Sequence, residues 1–352
     1  VVNLKHMIFG PILRDTAKVL GTFTLHLVVF LLLLAPANAS PTSAPDGVQC
    51  PAQSLLPRLK ASQPERYRTF LKEARSVRNG RHILWKVERK GLKPSWLFGT
   101  IHSRDPRIFT LPSKAFSAFD KVDTVLVELK EVVQPVTIGL EVLKHPELTM
   151  LQDDRLDHLL PPEETVELAT SLKQHGVPLD LVARMRPWFL MLNLEMPTCE
   201  TRLMKAGRDV LDQAIAKKAL DKKIALVGLE TPLEQFQAIA RVPDALMLEA
   251  VRRSFAIPYS NDDQLETVID LYKVHDIGKI IALSNVFGAG ESVAQSYTQY
   301  VLTDRNKIMA ERAKPYLDKG RAMIAVGSAH LAGDEGLVEL LRKQGFTVTA
   351  AD

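Results

Sequence analysis

A β-strand that is apolar at nearly every position has to be covered on both faces, and the segment Ser95-Trp96-Leu97-Phe98-Gly99-Thr100-Ile101-His102 is one. Such a run belongs inside a sheet flanked by helices, because a strand with one wet face alternates apolar and polar residues. It forms a predicted hairpin with Ile83–Glu88 across the turn Lys90-Gly91-Leu92-Lys93-Pro94. A helix around Ser113 to Phe119 then leads to the strand Thr124–Leu129, completing a βαβ unit. Strand pattern returns at Lys223–Glu230, followed by Thr231-Pro232 as N-cap and first helical residue. A last β-α-β unit covers Arg321–Gly327, Gly333–Gln344 and Phe346–Thr349.

Between these strand-bearing halves the pattern is helical, from about Pro135 to Lys218, with one helix opened by Pro161-Pro162-Glu163-Glu164 and closed by Gly176. Further amphipathic stretches cover Asp244–Phe255, Gln264–Leu283 and Ser292–Asp318. The expected fold is α/β: a mostly parallel central sheet with helices on both faces and a helical insertion, about residues 135–220, between two halves. The α/β domain is expected over residues 80–352, after a partly flexible N-terminal segment over 40–79.

Four strands end in a residue suited to chemistry: His102, Glu128, Glu230 and His330. Ligands of open α/β sheets bind outside the carboxyl ends of the strands. Two of these ends share a pattern, Gly99-Thr100-Ile101-His102 and Gly327-Ser328-Ala329-His330. With 18 glycines and nine histidines in the chain, chance supplies about 0.5 such matches, so a lone G-x-x-H is weak and two at strand ends are not. Glycine there allows close backbone approach, and the histidine three residues on reaches the crevice. His82, His145, His158, His175 and His275 lack that setting and read as surface or satisfied core residues. Asp105-Pro106-Arg107 reads as a turn and salt-bridge element, and Trp188 as packing.

The net charge of +4 needs locating before it is interpreted. Residues 1–39 hold Lys5, Arg14 and Lys18 against Asp15, leaving 42 basic and 40 acidic residues in the remainder. Behind that basic start come the apolar run Leu27–Leu34 and the small-residue exit Ala37-Asn38-Ala39, the three parts of a secretory signal peptide. The alternative is a membrane anchor over residues 19–34, although the clean apolar run falls short of the roughly 20 residues a span needs. Met7 is a second possible start beside the Val-Val beginning. Cys50 and Cys199 are the only cysteines; in an exported protein they read most simply as one disulfide, against the alternative of two buried thiols. The expected location is periplasmic or extracellular, with membrane contact only if the N-terminal segment is retained.

The residues so far singled out resemble the TraB/GumN family. The resemblance is carried by the hairpin with Trp85, by Phe98–Arg107 with its Gly99-Thr100-Ile101-His102, and by Val127-Glu128-Leu129. It extends through Arg186-Pro187-Trp188, Gly228–Gln235 and Asp304–Met309, and is most specific over Ala325–Leu337. It covers the chain from about Ile83 to the C-terminus. That family includes the TIKI membrane-associated metalloproteases and is similar, in its paired G-x-x-H motifs and a glutamate, to the erythromycin esterase superfamily. The resemblance implies metal-binding or catalytic roles for His102, Glu128 and His330, and matches Arg305 and Asn306 to the family's polar Arg-Asn pair. Asp212 falls where the family has a Gly-Val-Asp segment, but Val210 stands in place of the glycine, which leaves its role open.

Two neutral imidazoles and a carboxylate suit Mn²⁺, Co²⁺ or Zn²⁺ with positions left for water and substrate. Such an ion polarises a carbonyl and generates hydroxide near neutral pH. Glu230 is then the expected general base and Arg305 the expected oxyanion stabiliser. The expected function is an exported metal-dependent hydrolase, peptidase-like, with peptide or another small molecule as substrate. The alternatives are a metal-independent esterase-like hydrolase, in which Glu128 orients a histidine base, and a non-catalytic envelope accessory protein. HExxH, G-x-S-x-G and phosphate-cradling glycine loops are absent from the sequence, which argues against a standard zincin, an α/β-hydrolase and a nucleotide enzyme. Basic residues do not cluster with aromatics; Lys217-Lys218 and Lys222-Lys223 read as solvated ends, so nucleic-acid binding is not expected.

Overall fold

The computed structural model describes residues 50–109, 117–255, 259–288 and 290–352. The expected signal segment over 1–39, and the anchor alternative over 19–34, lie outside the described residues. So does most of the helix expected over 113–119; its described residues 117 and 118 are helical and run into a 3₁₀ turn, Phe119–Lys121. Among the described residues no helix is long and apolar enough to cross a membrane.

Among the described residues six strands form one sheet: β1 (Leu84–Glu88), β2 (Ser95–Thr100), β3 (Thr124–Val127), β4 (Ala225–Gly228), β5 (Ala322–Gly327) and β6 (Thr347–Ala350), in the order β4-β3-β5-β2-β1-β6. The pairings β4–β3, β3–β5 and β5–β2 are parallel, and β1 runs antiparallel to both neighbours. The sheet is therefore mixed but mostly parallel. The two sequence-read βαβ units exist as consecutive elements but not as adjacent strands. β5 lies between β2 and β3, and β2 and β1 lie between β5 and β6. Local pattern identifies strands; the long-range pairing that orders them has no local signal.

Side chains of the central strands alternate between two cores. Phe98, Val125, Val127, Met323 and Ala325 pack with Leu211, Ile215, Ile269 and Tyr272 on one face. Leu97, Leu126, Ile324 and Val326 pack with Met309, Ala313, Leu337 and Leu341 on the other. Period-two alternation with both faces apolar is what makes β2 and β5 read as continuous apolar runs. A run of helices from Pro135 to Asp221 separates β3 from β4, and its residues Ile138, Leu168, Trp188 and Leu190 form a third core with Phe236 and Val251. Trp188 is buried there and donates from Nε1 to Leu148 O at 2.9 Å.

The stretch Gln264–Leu283, continuous as a sequence pattern, is two helices, Asn261–Lys273 and Ile277–Phe287. The chain breaks at His275, in the left-handed region with φ 58°, and Asp276 caps the second helix by accepting from Lys279 N. Gly278 packs against Gly80 so closely that a methyl group at Gly80 would sit 2.8 Å from the Gly278 α-carbon. Cys50 and Cys199 form a disulfide with Cα atoms 5.5 Å apart, tying the chain before the first helix, Leu56–Ser62, to the helix Thr198–Lys205.

Candidate functional site

Because β2 and β5 are parallel neighbours with Thr100 opposite Gly327, the two G-x-x-H turns leave the sheet side by side. A methyl group at Gly99 would come within 3.0 Å of both the α- and β-carbons of Ser328. The first glycine is thus the close approach that lets the turns touch. β3 lies on the other side of β5 and delivers Glu128, and β4 beyond it delivers Glu230. The four sequence-singled residues therefore stand along one edge, in the order Glu230, Glu128, His330, His102.

The hollow they share lies over Gly327. A β-carbon there would sit 3.2 Å from Glu128 Oε1, 3.6 Å from His330 Cδ2 and 3.8 Å from His102 Nε2. Any side chain at 327 would fill the space in which these three groups meet.

His102 is oriented by Asp212, which the sequence left open and the structure brings into the site. His102 Nδ1 lies 2.9 Å from Asp212 Oδ2, and Thr100 Oγ1 donates to Asp212 Oδ1 at 2.6 Å. Val210 in place of glycine is accommodated as the extended residue before the helix Leu211–Asp221. Burial pushes the His102 pKa down, but the adjacent Asp212 carboxylate and its hydrogen bond, with Glu128 beyond, outweigh it and raise the group to about 9. The metal-independent alternative had Glu128 orienting a histidine. Here Asp212 does this for His102, and Glu128 is engaged elsewhere.

His330 is fully buried in a 3₁₀ turn, Ser328–His330. Its Nδ1 lies 2.6 Å from Asn306 Oδ1, while Asn306 Nδ2 donates to Glu335 O at 2.9 Å. That second bond fixes which way the amide faces, so Nδ1 carries the proton and Nε2 a lone pair. Nε2 has no hydrogen-bond partner among the described residues and faces Glu128 Oε1 at 3.8 Å. Burial is the main cause that holds this imidazole down at about 3, the Glu128 charge opposing. It is neutral at physiological pH.

Glu128 Oε1 accepts from Gly327 N at 2.7 Å, and Oε2 accepts from Arg305 at 2.8 Å and Gln235 Nε2 at 3.0 Å. Burial favours its protonated form, but Arg305 and the two imidazoles prevail and hold the carboxyl well below its ordinary range. Arg305 also donates to both oxygens of Glu230, at 2.6 to 3.0 Å, and to Val301 O at 3.1 Å. Val301 belongs to a π-helical turn, Thr298–Thr303, that precedes the helix of Arg305, Asp304–Leu317.

Glu230 and Arg305, both singled out in the sequence, are engaged with each other. Glu230, expected as a general base, has both oxygens engaged by Arg305 and is buried. Arg305, expected to meet an oxyanion, is a buried strut between Glu128 and Glu230. Sequence pattern places both residues but does not reveal that they pair across 75 positions. Gln235, Thr100 and Glu200 were missed as site residues: Thr100 stands at the end of β2 inside the first G-x-x-H motif, but only as one of its unspecified positions, and Gln235 and Glu200 lie in helices away from the strand ends. The remaining histidines among the described residues are satisfied as expected: His82 and His275 on Asp352, His145 on Glu147, His158 on Asp154 and His175 on Ser171 O. Asp105 caps the turn Pro106–Ile108 and, with Glu266, binds Arg107.

The donor chemistry at Gly327 fits a divalent ion. The His330 lone pair is buried without a partner among the described residues, an ionised carboxylate and a second imidazole face the same hollow, and each Nδ1 is hydrogen-bonded behind the ring, as metal-ligating histidines are. His102, with its pKa raised to about 9, would have to give up its Nε2 proton as an ion binds. The fit is one of donor type and direction. Among the described residues no three His, Cys, Asp or Glu side chains are already grouped closely enough to hold a metal ion.

A family model described as the TraB/PrgY/gumN family matches residues 83–350. No curated protein and no solved structure matches the chain.

Proposed function

The chain belongs to the TraB/PrgY/gumN family, and from that premise we propose that it is an exported metal-dependent hydrolase acting on a peptide or ester bond. The observation that carries this reading is the buried, unpartnered Nε2 of His330 turned towards Glu128 beside Gly327. An orphaned buried acceptor costs about 1–3 kcal/mol, and a ligand at the hollow would satisfy it. His102, His330 and Glu128 would hold the ion, which when bound supplies Lewis acidity and a water with pKa near 7.

The chain's own residues do the rest. Asp212 and Asn306 fix the two rings with their Nε2 atoms towards the hollow. Arg305 keeps Glu128 ionised while Glu230 balances the guanidinium. The resemblance to a family that includes the TIKI metalloproteases supports the peptidase form, and the Cys50–Cys199 disulfide supports export to an oxidising compartment.

Metal analysis of the purified protein after loading with Mn, Co or Zn tests the reading. Wild type retains an ion that the double variant His102→Ala, His330→Ala does not; equal retention would remove the metal from the site. A second reading is favoured by the His102–Asp212 hydrogen bond, the arrangement of an oriented general base, which at a pKa of about 9 takes up a proton only in its deprotonated form and so gains activity towards alkaline pH. It requires hydrolysis that survives chelation and is abolished by Asp212→Asn.

A further inference from the structure

The loop that carries His102 is held from beneath by a group that does not reach the hollow. Glu200, in the first turn of the helix Thr198–Lys205, is 2% exposed. Its Oε1 accepts from Ser103 Oγ at 2.5 Å and from Arg104 N at 3.0 Å, and its Oε2 takes Arg104 N at 3.2 Å and the Arg104 guanidinium at 3.3 Å. All of these donors belong to the two residues that follow His102. Arg104 Nε in turn donates to Arg208 O at 2.9 Å, and Leu211 N donates to Ser103 O at 3.2 Å. Arg208 and Leu211 bracket the turn that delivers Asp212. The loop of the histidine and the turn of its orienting carboxylate are thus joined through one buried anion.

Glu200 is itself fixed from behind. Cys199, the preceding residue, is bonded to Cys50 and donates from its backbone N to Asp262 Oδ1 at 2.8 Å. The segment after Cys50 is anchored on the same helix, Gln53 N donating to Asp263 Oδ1 at 2.9 Å and Leu55 N to Thr267 Oγ1 at 2.8 Å. The carboxylate cannot retreat without breaking these ties.

We propose that Glu200 is a positioning residue of the candidate site: by holding Ser103 and Arg104 it sets the His102–Asp212 hydrogen bond, and so the direction of His102 Nε2. This rests on the reading that His102 works at the Gly327 hollow. A carboxylate in this place does what a hydrophobic residue cannot, since it accepts from a hydroxyl, a backbone N–H and a guanidinium together.

The test is the exchange of the His102 Nδ1 proton with solvent, followed by NMR in ¹⁵N-histidine-labelled protein with chelator present. Exchange of the Ile324 amide in the central strand β5 serves as the internal reference for global opening. Glu200→Ala is expected to speed exchange of the His102 proton by at least about tenfold more than that of Ile324. Glu200→Gln, which keeps an acceptor for Ser103 and Arg104 N, is expected to restore most of the protection. Glu200→Asp, a methylene shorter, carries the same measurement if the alanine variant does not fold. Acceleration of both protons in step would reduce Glu200 to a stabiliser of the fold and overturn the proposal. The readout uses neither substrate nor metal, so it can fail while metal retention by His102 and His330 stands, and the reverse.

Discussion

His330 and Asn306 meet at 2.6 Å, imidazole Nδ1 to amide oxygen, with no solvent on the ring. This one bond decides that the free lone pair of His330 is on Nε2, on the side of Gly327. Asn306→Leu removes the acceptor at similar volume and leaves a buried N–H without a partner. The expected loss is about 1–3 kcal/mol of stability. Metal retention at the proposed site is expected to fall about 10–100-fold, the usual effect of losing the group behind a ligating histidine. Urea unfolding and metal titration of the same samples separate the two.

Gly99 is the contact point of the two motif turns, and its replacement tests whether that contact builds the site. In Gly99→Ala the new methyl meets Ser328 and Leu331 Cδ2, each at 3.0 Å. Leu331 can rotate away, but the Ser328 α-carbon is backbone and moves only with the turn that carries His330. The expected cost is about 1–3 kcal/mol, the range for overpacking a well-filled core, with His330 side-chain resonances shifted. An NMR spectrum with the His330 ring unmoved would show that the turns are positioned independently.

These two cases also show what was legible beforehand. Gly99, His102, Gly327 and His330 stand in a repeated pattern at the ends of apolar runs, so the sequence could place them at one sheet edge. Glu128 and Glu230 followed from the same argument. Arg305 was found through the family pattern, but its partner was not, since an ion pair between a helix and a strand end leaves no spacing to recognise. Asp212 was seen and left open because a local backbone rule, the missing glycine at Val210, obscured a tertiary contact with His102. Glu200 was invisible: a charged residue in a helix reads as solvated, and only the folded chain shows it 2% exposed beneath Ser103.

Arg305 is the one cation between two buried carboxylates, so its removal should be among the most damaging single changes in the chain. Arg305→Met keeps much of the volume and leaves Glu230 without its ion-pair partner and Glu128 with only the imidazoles beside it. The expected loss is about 3–5 kcal/mol, the range for breaking a buried pair from one side. The triple change Arg305→Met, Glu128→Gln, Glu230→Gln should recover a large part of that loss in denaturant unfolding while leaving metal retention abolished. A triple variant as unstable as Arg305→Met alone would mean that Arg305 stabilises through packing rather than charge.

Glu234 gives a pH dependence whose sign can be worked out. Arg312 bonds both of its oxygens, at 2.6 and 2.9 Å, and Thr231 N donates to it at 2.8 Å in the capping box of the helix Pro232–Ala240. The Arg312 hydrogen bonds, helped by Thr231 and opposed by burial, hold its carboxyl down at about 2 against an ordinary 4.5. A carboxyl depressed on folding binds fewer protons in the native state than in the unfolded one, so it stabilises above its unfolded pKa. That contribution is lost as pH falls from the ordinary value through about 2. Glu234→Gln retains an acceptor for the cap but removes the titration. Its stability is expected to lie below wild type at neutral pH and to converge on it as the pH is lowered through that window, in urea midpoints taken at matched ionic strength. A gap that stays constant down to the lower end of the window would mean that the pair contributes through hydrogen-bond geometry alone.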